Sequence, residues 1–196
     1  MSRYRGPRTK ILRALGVDLP GFTTRSQERR PYRPGQHGQR MRKLSEYAIR
    51  VLETKKLRFN YGITEGYLRG IMEEARHSKT DTTLKLIELL ERRLDNVVFR
   101  AGFAPTIPAA RQLVLHGHVL VDGQRVNIPS YRVRVGSSVQ LKNKERPLRE
   151  ARFPSPVWLK VDTTVRSAQV SDLPDGKDIL FPLDVKLIIE HYSNRL

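Results

Sequence analysis

The chain has 196 residues, 38% of them hydrophobic, and its 37 Lys and Arg against 20 Asp and Glu give a formal net charge of +17. That composition suits one or two domains with real cores and makes a polyanion the default partner. The absence of cysteine excludes disulfides, Cys-ligated zinc and thiol catalysis, and no apolar run approaches the ~20 residues of a membrane span, so a soluble protein without a membrane partner is expected.

The charge is unevenly placed. Residues 1–60 carry 16 basic and 4 acidic side chains, 61–100 carry 7 and 7, 101–150 carry 8 and 3, and 151–196 carry 6 and 6. The excess therefore sits in an N-terminal arm, residues 1–43, and in a central module. The arm is rich in Arg, Gly and Pro, and its few apolar residues, Ile11, Leu12, Leu15 and Val17, make about one helical stripe. It is expected to be extended and to order only against something else. Tyr4, Phe22 and Tyr32 interleave with the arginines and suit stacking on bases.

A helix is predicted from Ser45 to about Lys56, with Leu44 and Ile49 as a hydrophobic staple and Tyr47, Ala48, Val51 and Leu52 as its buried stripe. Its end, Lys55-Lys56-Leu57-Arg58, complements the helix dipole and also suits phosphate contact. After Tyr61-Gly62, Thr64 caps a helix with Leu68, Ile71, Met72 and Ala75 inward, and Arg76–Thr80 is a polar linker.

The stretch Leu84–Leu141 reads as helix, turn, helix, hairpin. Asp81, Thr82 and Thr83 offer caps, and apolar residues recur at Leu84, Ile87, Leu90, Leu94, Val97, Val98 and Ala101, which predicts one helix ending at Gly102. Arg93, Asn96 and Arg100 then line a solvent-side ridge. A shorter helix runs from Thr106, with Pro108 in its first turn, to Gly117, and turns Arg111, Gln112, Leu115 and His116 outward. Asp122-Gly123 supplies the positive φ angles of a type I′ turn between strands His118–Val121 and Gln124–Ile128. A second hairpin is predicted from Arg132–Val135 and Ser138–Leu141 around Gly136-Ser137.

Beyond Leu141, Lys142, Lys144, Arg146, Arg149 and Arg152 form a basic linker. Val157–Val161 looks like a strand, Asp172–Asp178 an acidic turn without calcium-ligand spacing, and Val185, Ile188, Ile189 and Tyr192 one face of a final helix. The fold class is α+β: a mainly helical outer domain from both chain ends, residues 44–83 with 152–196, and an inserted helix-helix-β-hairpin module, residues 84–151. The five histidines have no metal-ligand spacing beyond the pair His116 and His118, which is better read as solvated or RNA-facing. No paired acid and base or phosphate-cradling glycine loop after a strand occurs, so neither catalytic residue, metal nor cofactor is expected.

The runs Leu90–Arg100, Ala110–Val114 and His116-Gly117 resemble the RNA-binding module named after ribosomal protein S-four. Similar landmarks extend across the chain: Met1–Pro7, Pro34–Gly38, Lys55–Arg58 with Tyr61-Gly62, Val126–Tyr131 and Leu187–Ser193. The resemblance implies a structural, non-enzymatic member of that ribosomal family with a module of the alpha-L type. It implies a primary binder of 16S-type small-subunit rRNA that nucleates assembly of the 5′ domain and contributes to translational accuracy. Its neighbours would be proteins S-five and S-twelve and the mRNA where it enters the subunit, with no homo-oligomer. Some members fold the arm around a Cys-ligated zinc, which this chain lacks the residues to do. The expected location is the cytoplasmic ribosome, or that of a plastid stroma or mitochondrial matrix. The expected rRNA contacts are Arg3, Arg5, Arg8, Lys10, Arg13, Arg33, Gln36, His37, Arg40, Arg42 and Lys43 in the arm, and Lys55, Lys56 and Arg58 after it. In the module they are Arg93, Asn96, Arg100, Arg111, Gln112, His116, His118, Arg132 and Arg134. The competing readings are an RNA-modifying enzyme of the pseudouridine synthase type and a non-ribosomal RNA-binding chaperone carrying the same module.

Overall fold

Residues 4–40, 43–143, 152–176 and 179–193 are described by a computed structural model; Arg3, Arg42 and the linker cations Lys144, Arg146 and Arg149 lie outside them. The chain divides into two units, Met1–Leu86 with Ile179–Leu196 and Ile87–Asp178.

In the first unit the arm is not extended throughout. Helix α1, Arg8–Leu15, ends at Gly16 in the left-handed conformation, whose N–H donates to the Leu12 carbonyl at 2.8 Å. Leu12, Leu15, Leu19 and Phe22 are buried, and Phe22 stacks with Tyr4 and with Phe59 of the next helix at centroid separations of 5.8 and 5.6 Å. The sparse apolar stripe of the arm makes no core of its own; it completes one supplied by α2.

Helix α2 runs Glu46–Tyr61, longer than the predicted Ser45–Lys56. Ser45 caps it by accepting from the Ala48 N–H, and Gly62, at φ 61°, closes it. The buried side differs from the expected stripe as well: Glu53, Thr54, Leu57, Asn60 and Tyr61 face inward, while Tyr47 and Ile49 are exposed and Ala48, Val51 and Leu52 only half-covered. Asn60 Oδ1 accepts from the Gly21 N–H at 2.9 Å, which ties the arm to α2. Helix α3, Glu65–Arg76, is capped by Thr64 and buries Leu68, Ile71, Met72 and Ala75 as its spacing predicts. The last helix, α7 (Val185–Ser193), packs along α2 and buries Val185, Ile188 and Tyr192.

The predicted single helix of the module is two: α4, Thr82–Glu91, within which the unit boundary falls, and α5, Leu94–Arg100. Between them Arg93 is extended, at φ −65° and ψ 137°, and bridges Arg132. The segment 129–133 takes the hydrogen bonds a continuous helix would have used. Leu94 N–H donates to Tyr131 O (2.8 Å), Asp95 N–H to Pro129 O (3.1 Å) and Val133 N–H to Arg92 O (2.9 Å). Arg132–Val135 is therefore engaged here and does not form the predicted hairpin with Ser138–Leu141. Helix α6, Ile107–Leu115, follows its Thr106 cap with Pro in the first turn and packs on α5.

The strands are β1 (Val119–Val121), β2 (Gln124–Arg125, shorter than the predicted Gln124–Ile128), β3 (Ser138–Leu141), β4 (Leu159–Asp162) and β5 (Ser167–Val170). They form one antiparallel sheet in the order β2-β1-β3-β5-β4, with Leu120 opposite Arg125 and Val139 opposite both Val121 and Ala168. Asp122 and Gly123, at φ 49° and 81°, make the type I′ turn. β4, expected as a strand of the outer domain, and β5, which was not predicted, thus belong to the sheet of the second unit. Alternation puts Val119, Val121, Val139, Leu141, Ala168 and Val170 in its core.

Candidate nucleic-acid interface

In the second unit the predicted solvent ridge is buried. Arg93, Asn96 and Arg100 are 1%, 2% and 6% exposed, and Arg111, expected outward, is 8% exposed. The helix break at Arg93 redirects the first three, and Arg111 comes to Asp95 from α6. Arg93 donates a fork to Asp95, Nε to Oδ1 at 3.1 Å and Nη2 to Oδ2 at 2.7 Å, and Arg111 Nη2 lies 3.2 Å from the same Oδ2. Beside it Arg100 Nε is 3.5 Å from Glu91 Oε2, and Asn96 Nδ2 donates to that oxygen (2.9 Å) and to the Glu91 carbonyl (3.0 Å). A guanidinium loses hydration on burial, and a bidentate carboxylate restores its hydrogen bonds, so these groups hold α4, α5 and α6 in register.

What remains outward clusters at the C-terminal end of α6 and the start of β1. Gln112, Leu115 and His116 are exposed and His118 half-exposed, with the two imidazole centroids 6.2 Å apart. Gly117 between them, at φ 70°, lies directly under a cation: a Cβ there would sit 2.0 Å from Arg125 Nε. The Lys142 backbone N–H donates to the His118 carbonyl at 2.9 Å, so an exposed lysine pairs with His118 along the backbone. Arg125 and Lys142 were absent from the expected contacts. Arg125 follows the Asp-Gly turn by two residues, so its strand position was readable, but its approach to Gly117 depends on how β2 folds over the helix end. Arg134 is exposed and Arg132 half-exposed. No group of three or more His, Asp or Glu suited to a metal occurs among the described residues.

In the first unit the expected cations divide by occupation. Arg8 donates to the Phe22 carbonyl (3.2 Å) and lies over that ring. Arg13 donates from Nε to Tyr32 O (2.9 Å) and from Nη2 to Arg33 O (3.3 Å), stacked on Tyr32. Lys56 pairs with Glu53 at 2.5 Å and Arg58 with Glu65 at 2.7 Å. Arg5, Lys10, Arg33, Gln36, His37, Arg40, Lys43 and Lys55 are exposed. Gln36 and His37 sit at the tip of a tight loop closed by Gly38 N–H to Gly35 O (3.2 Å), and a Cβ at Gly38 would lie 1.8 Å from the Arg33 carbonyl oxygen, so only glycine permits this closure.

The geometry offers two cationic surfaces rich in donors, with arginine scaffolding beneath them. A model described as Ribosomal protein S4/S9 N-terminal domain matches residues 3–91, and one described as S4 domain matches residues 92–139. The chain is 49% identical over 205 residues to the small ribosomal subunit protein uS4 of Methylobacillus flagellatus, with 100% of each chain covered. It is 47% identical, again over 100% of both chains, to uS4B of Nitrosomonas europaea and to uS4 of a Cyanothece species. Similarity of this extent means that the chain belongs to the uS4 family of small ribosomal subunit proteins.

Proposed function

We infer that this chain is a structural constituent of the small ribosomal subunit, that it binds rRNA, and that it is not an enzyme. The observation that carries the reading is similarity to small-subunit relatives along the whole chain, both units included. Beyond it, we read the chain as a primary rRNA binder that nucleates the 5′ domain through an alpha-L type surface. Its neighbours in that reading are proteins S-five and S-twelve and the mRNA where it enters, in the cytoplasmic ribosome. No helix among the described residues is long and apolar enough to cross a membrane.

The contacts proposed for rRNA are the exposed members of the expected set, with Arg125 and Lys142 added. They are Arg5, Lys10, Arg33, Gln36, His37, Arg40, Lys43 and Lys55 in the first unit and Gln112, His116 and Arg134 in the second, with the half-exposed His118 and Arg132 beside them. Cations and hydrogen-bond donors of this kind suit the backbone and 2′-hydroxyls of folded RNA. The buried Arg93, Asn96, Arg100 and Arg111 act through the shape they impose.

Sucrose-gradient fractionation tests the reading: stoichiometric retention in small subunits after a high-salt wash is expected, and recovery only in the free pool overturns it. Turnover of an rRNA transcript by the purified chain would favour the enzyme alternative.

A further inference from the structure

On the rRNA reading above, on which this one rests, we propose that the outer face of the five-stranded sheet is a further RNA-binding surface, one that takes the minor groove of an A-form duplex. Strand alternation turns Val119, Val121, Val139, Ala168 and Val170 into the core. Leu120, Ser138, Gln140, Lys160, Ser167 and Gln169 therefore stand on the opposite face. Register sets them side by side: Gln140 lies between Leu120 and Ser167, and Gln169 between Ser138 and Lys160. None of the six is buried, so the face is open. It is also continuous with the surface at the end of α6. The Lys142 N–H to His118 carbonyl bond carries the β1–β3 pairing one residue further toward that helix, and Arg125, opposite Leu120, reaches back over Gly117.

The chemistry of the face selects the occupant. Its middle is neutral and polar: the Gln140 amide donates to the Ser138 hydroxyl at 3.2 Å, and amides and hydroxyls both donate and accept. Its margins carry exposed cations, Arg125 on β2 at one edge and Lys160 on β4 at the other, four strand spacings or about 19 Å apart. Asp162, the acid of this face, is engaged by its own turn, where it accepts from the Thr164 and Val165 N–H groups at 2.9 and 3.1 Å. A neutral hydrogen-bonding field between two cationic margins complements a groove of 2′-hydroxyls and base edges between two phosphate backbones, which is what the A-form minor groove displays. A single strand is held by aromatic rings stacked on its bases, and none of the six side chains is aromatic. A protein partner gains by burying apolar area, and Leu120 is the one apolar side chain among them.

The chain has no cysteine, so one introduced thiol is a unique attachment point for an iron-EDTA source of hydroxyl radicals. Full-length Gln169→Cys, so labelled, is assembled into small subunits, with Gln112→Cys on the α6 surface as the control. The expected result is rRNA cleavage from position 169 on both strands of one duplex. In filter binding to an rRNA transcript, Gln140→Ala with Gln169→Ala should lower affinity several-fold at unchanged salt slope, whereas Lys160→Ala should reduce the log-log slope by about one unit. Cleavage from position 112 but not from 169, as when a protein covers the sheet, overturns the proposal and leaves the rRNA reading standing. So does cleavage from 169 confined to unpaired nucleotides, or wild-type affinity and slope in all of these Ala variants. Failure of both labelled chains to bind rRNA overturns the two readings together.

Discussion

At Arg93 a guanidinium with 1% exposure has exchanged water for two hydrogen bonds to Asp95, which also lies 3.2 Å from the Arg111 guanidinium, so removal of Asp95 takes a shared carboxylate from two buried cations. Asp95→Ala is therefore expected to destabilise the fold by about 3–5 kcal/mol. Gln112→Ala, at an exposed position, should stay within about 0.5 kcal/mol and lower rRNA affinity instead. Urea titrations of both variants check this, and equal shifts would show the network to be dispensable. Tyr192 makes a separate, alkaline prediction. Burial first, and then the hydrogen bond its hydroxyl donates to the Glu65 carboxylate, hold its pKa above the ordinary 10.0. A pKa raised on folding stabilises fully below the unfolded value and fades as pH rises past it. The melting temperature should thus fall above pH 10.0, and Tyr192→Phe, less stable at neutral pH, should flatten that decline.

Among the elements, the junction of α6 and β1 depends on Gly117. Its φ of 70° strains any L side chain, and a Cβ there would displace the Arg125 guanidinium that lies over it. Gly117→Ala should cost about 1–2 kcal/mol of backbone strain and also push Arg125 off the helix end. If Arg125 belongs to the rRNA surface, affinity should fall further than in His116→Ala; filter-binding with an rRNA junction transcript measures both. An affinity unchanged by Gly117→Ala would remove Arg125 from the surface. Elsewhere a tertiary contact overrides local pattern. The apolar period runs through Leu90, Leu94 and Val97 without interruption, yet the 129–133 segment takes the backbone bonds at the break and makes two helices of one.

Across the whole molecule, the exposed cations of the arm carry much of the charge excess and those of the helix-hairpin module far less. Binding that releases counterions weakens with salt in proportion to the phosphates neutralised. Replacing Arg33, Arg40 and Lys43 together with Ala should reduce the log-log salt slope of rRNA binding by up to about 3 units. An unchanged slope would mean that these side chains stay in solvent.

Much was legible in the chain alone. Ser45 and Thr64 as caps, Thr106 as a helix start, Asp122-Gly123 as a type I′ turn, the inner face of α3 and the charge asymmetry all follow from local chemistry that needs no distant residue. Family membership was legible for the same reason, since its landmarks are contiguous runs. The tertiary structure alone decided which arginines are scaffold and which are surface. Helical spacing places Arg93, Arg100 and Arg111 on a face, but carboxylates reached through the fold, Asp95 and Glu91, determine whether that face meets water. It likewise decided that α1 completes a core and that the predicted stripe of α2 is only half-covered, because burial depends on which segment packs opposite, and periodicity carries no record of that.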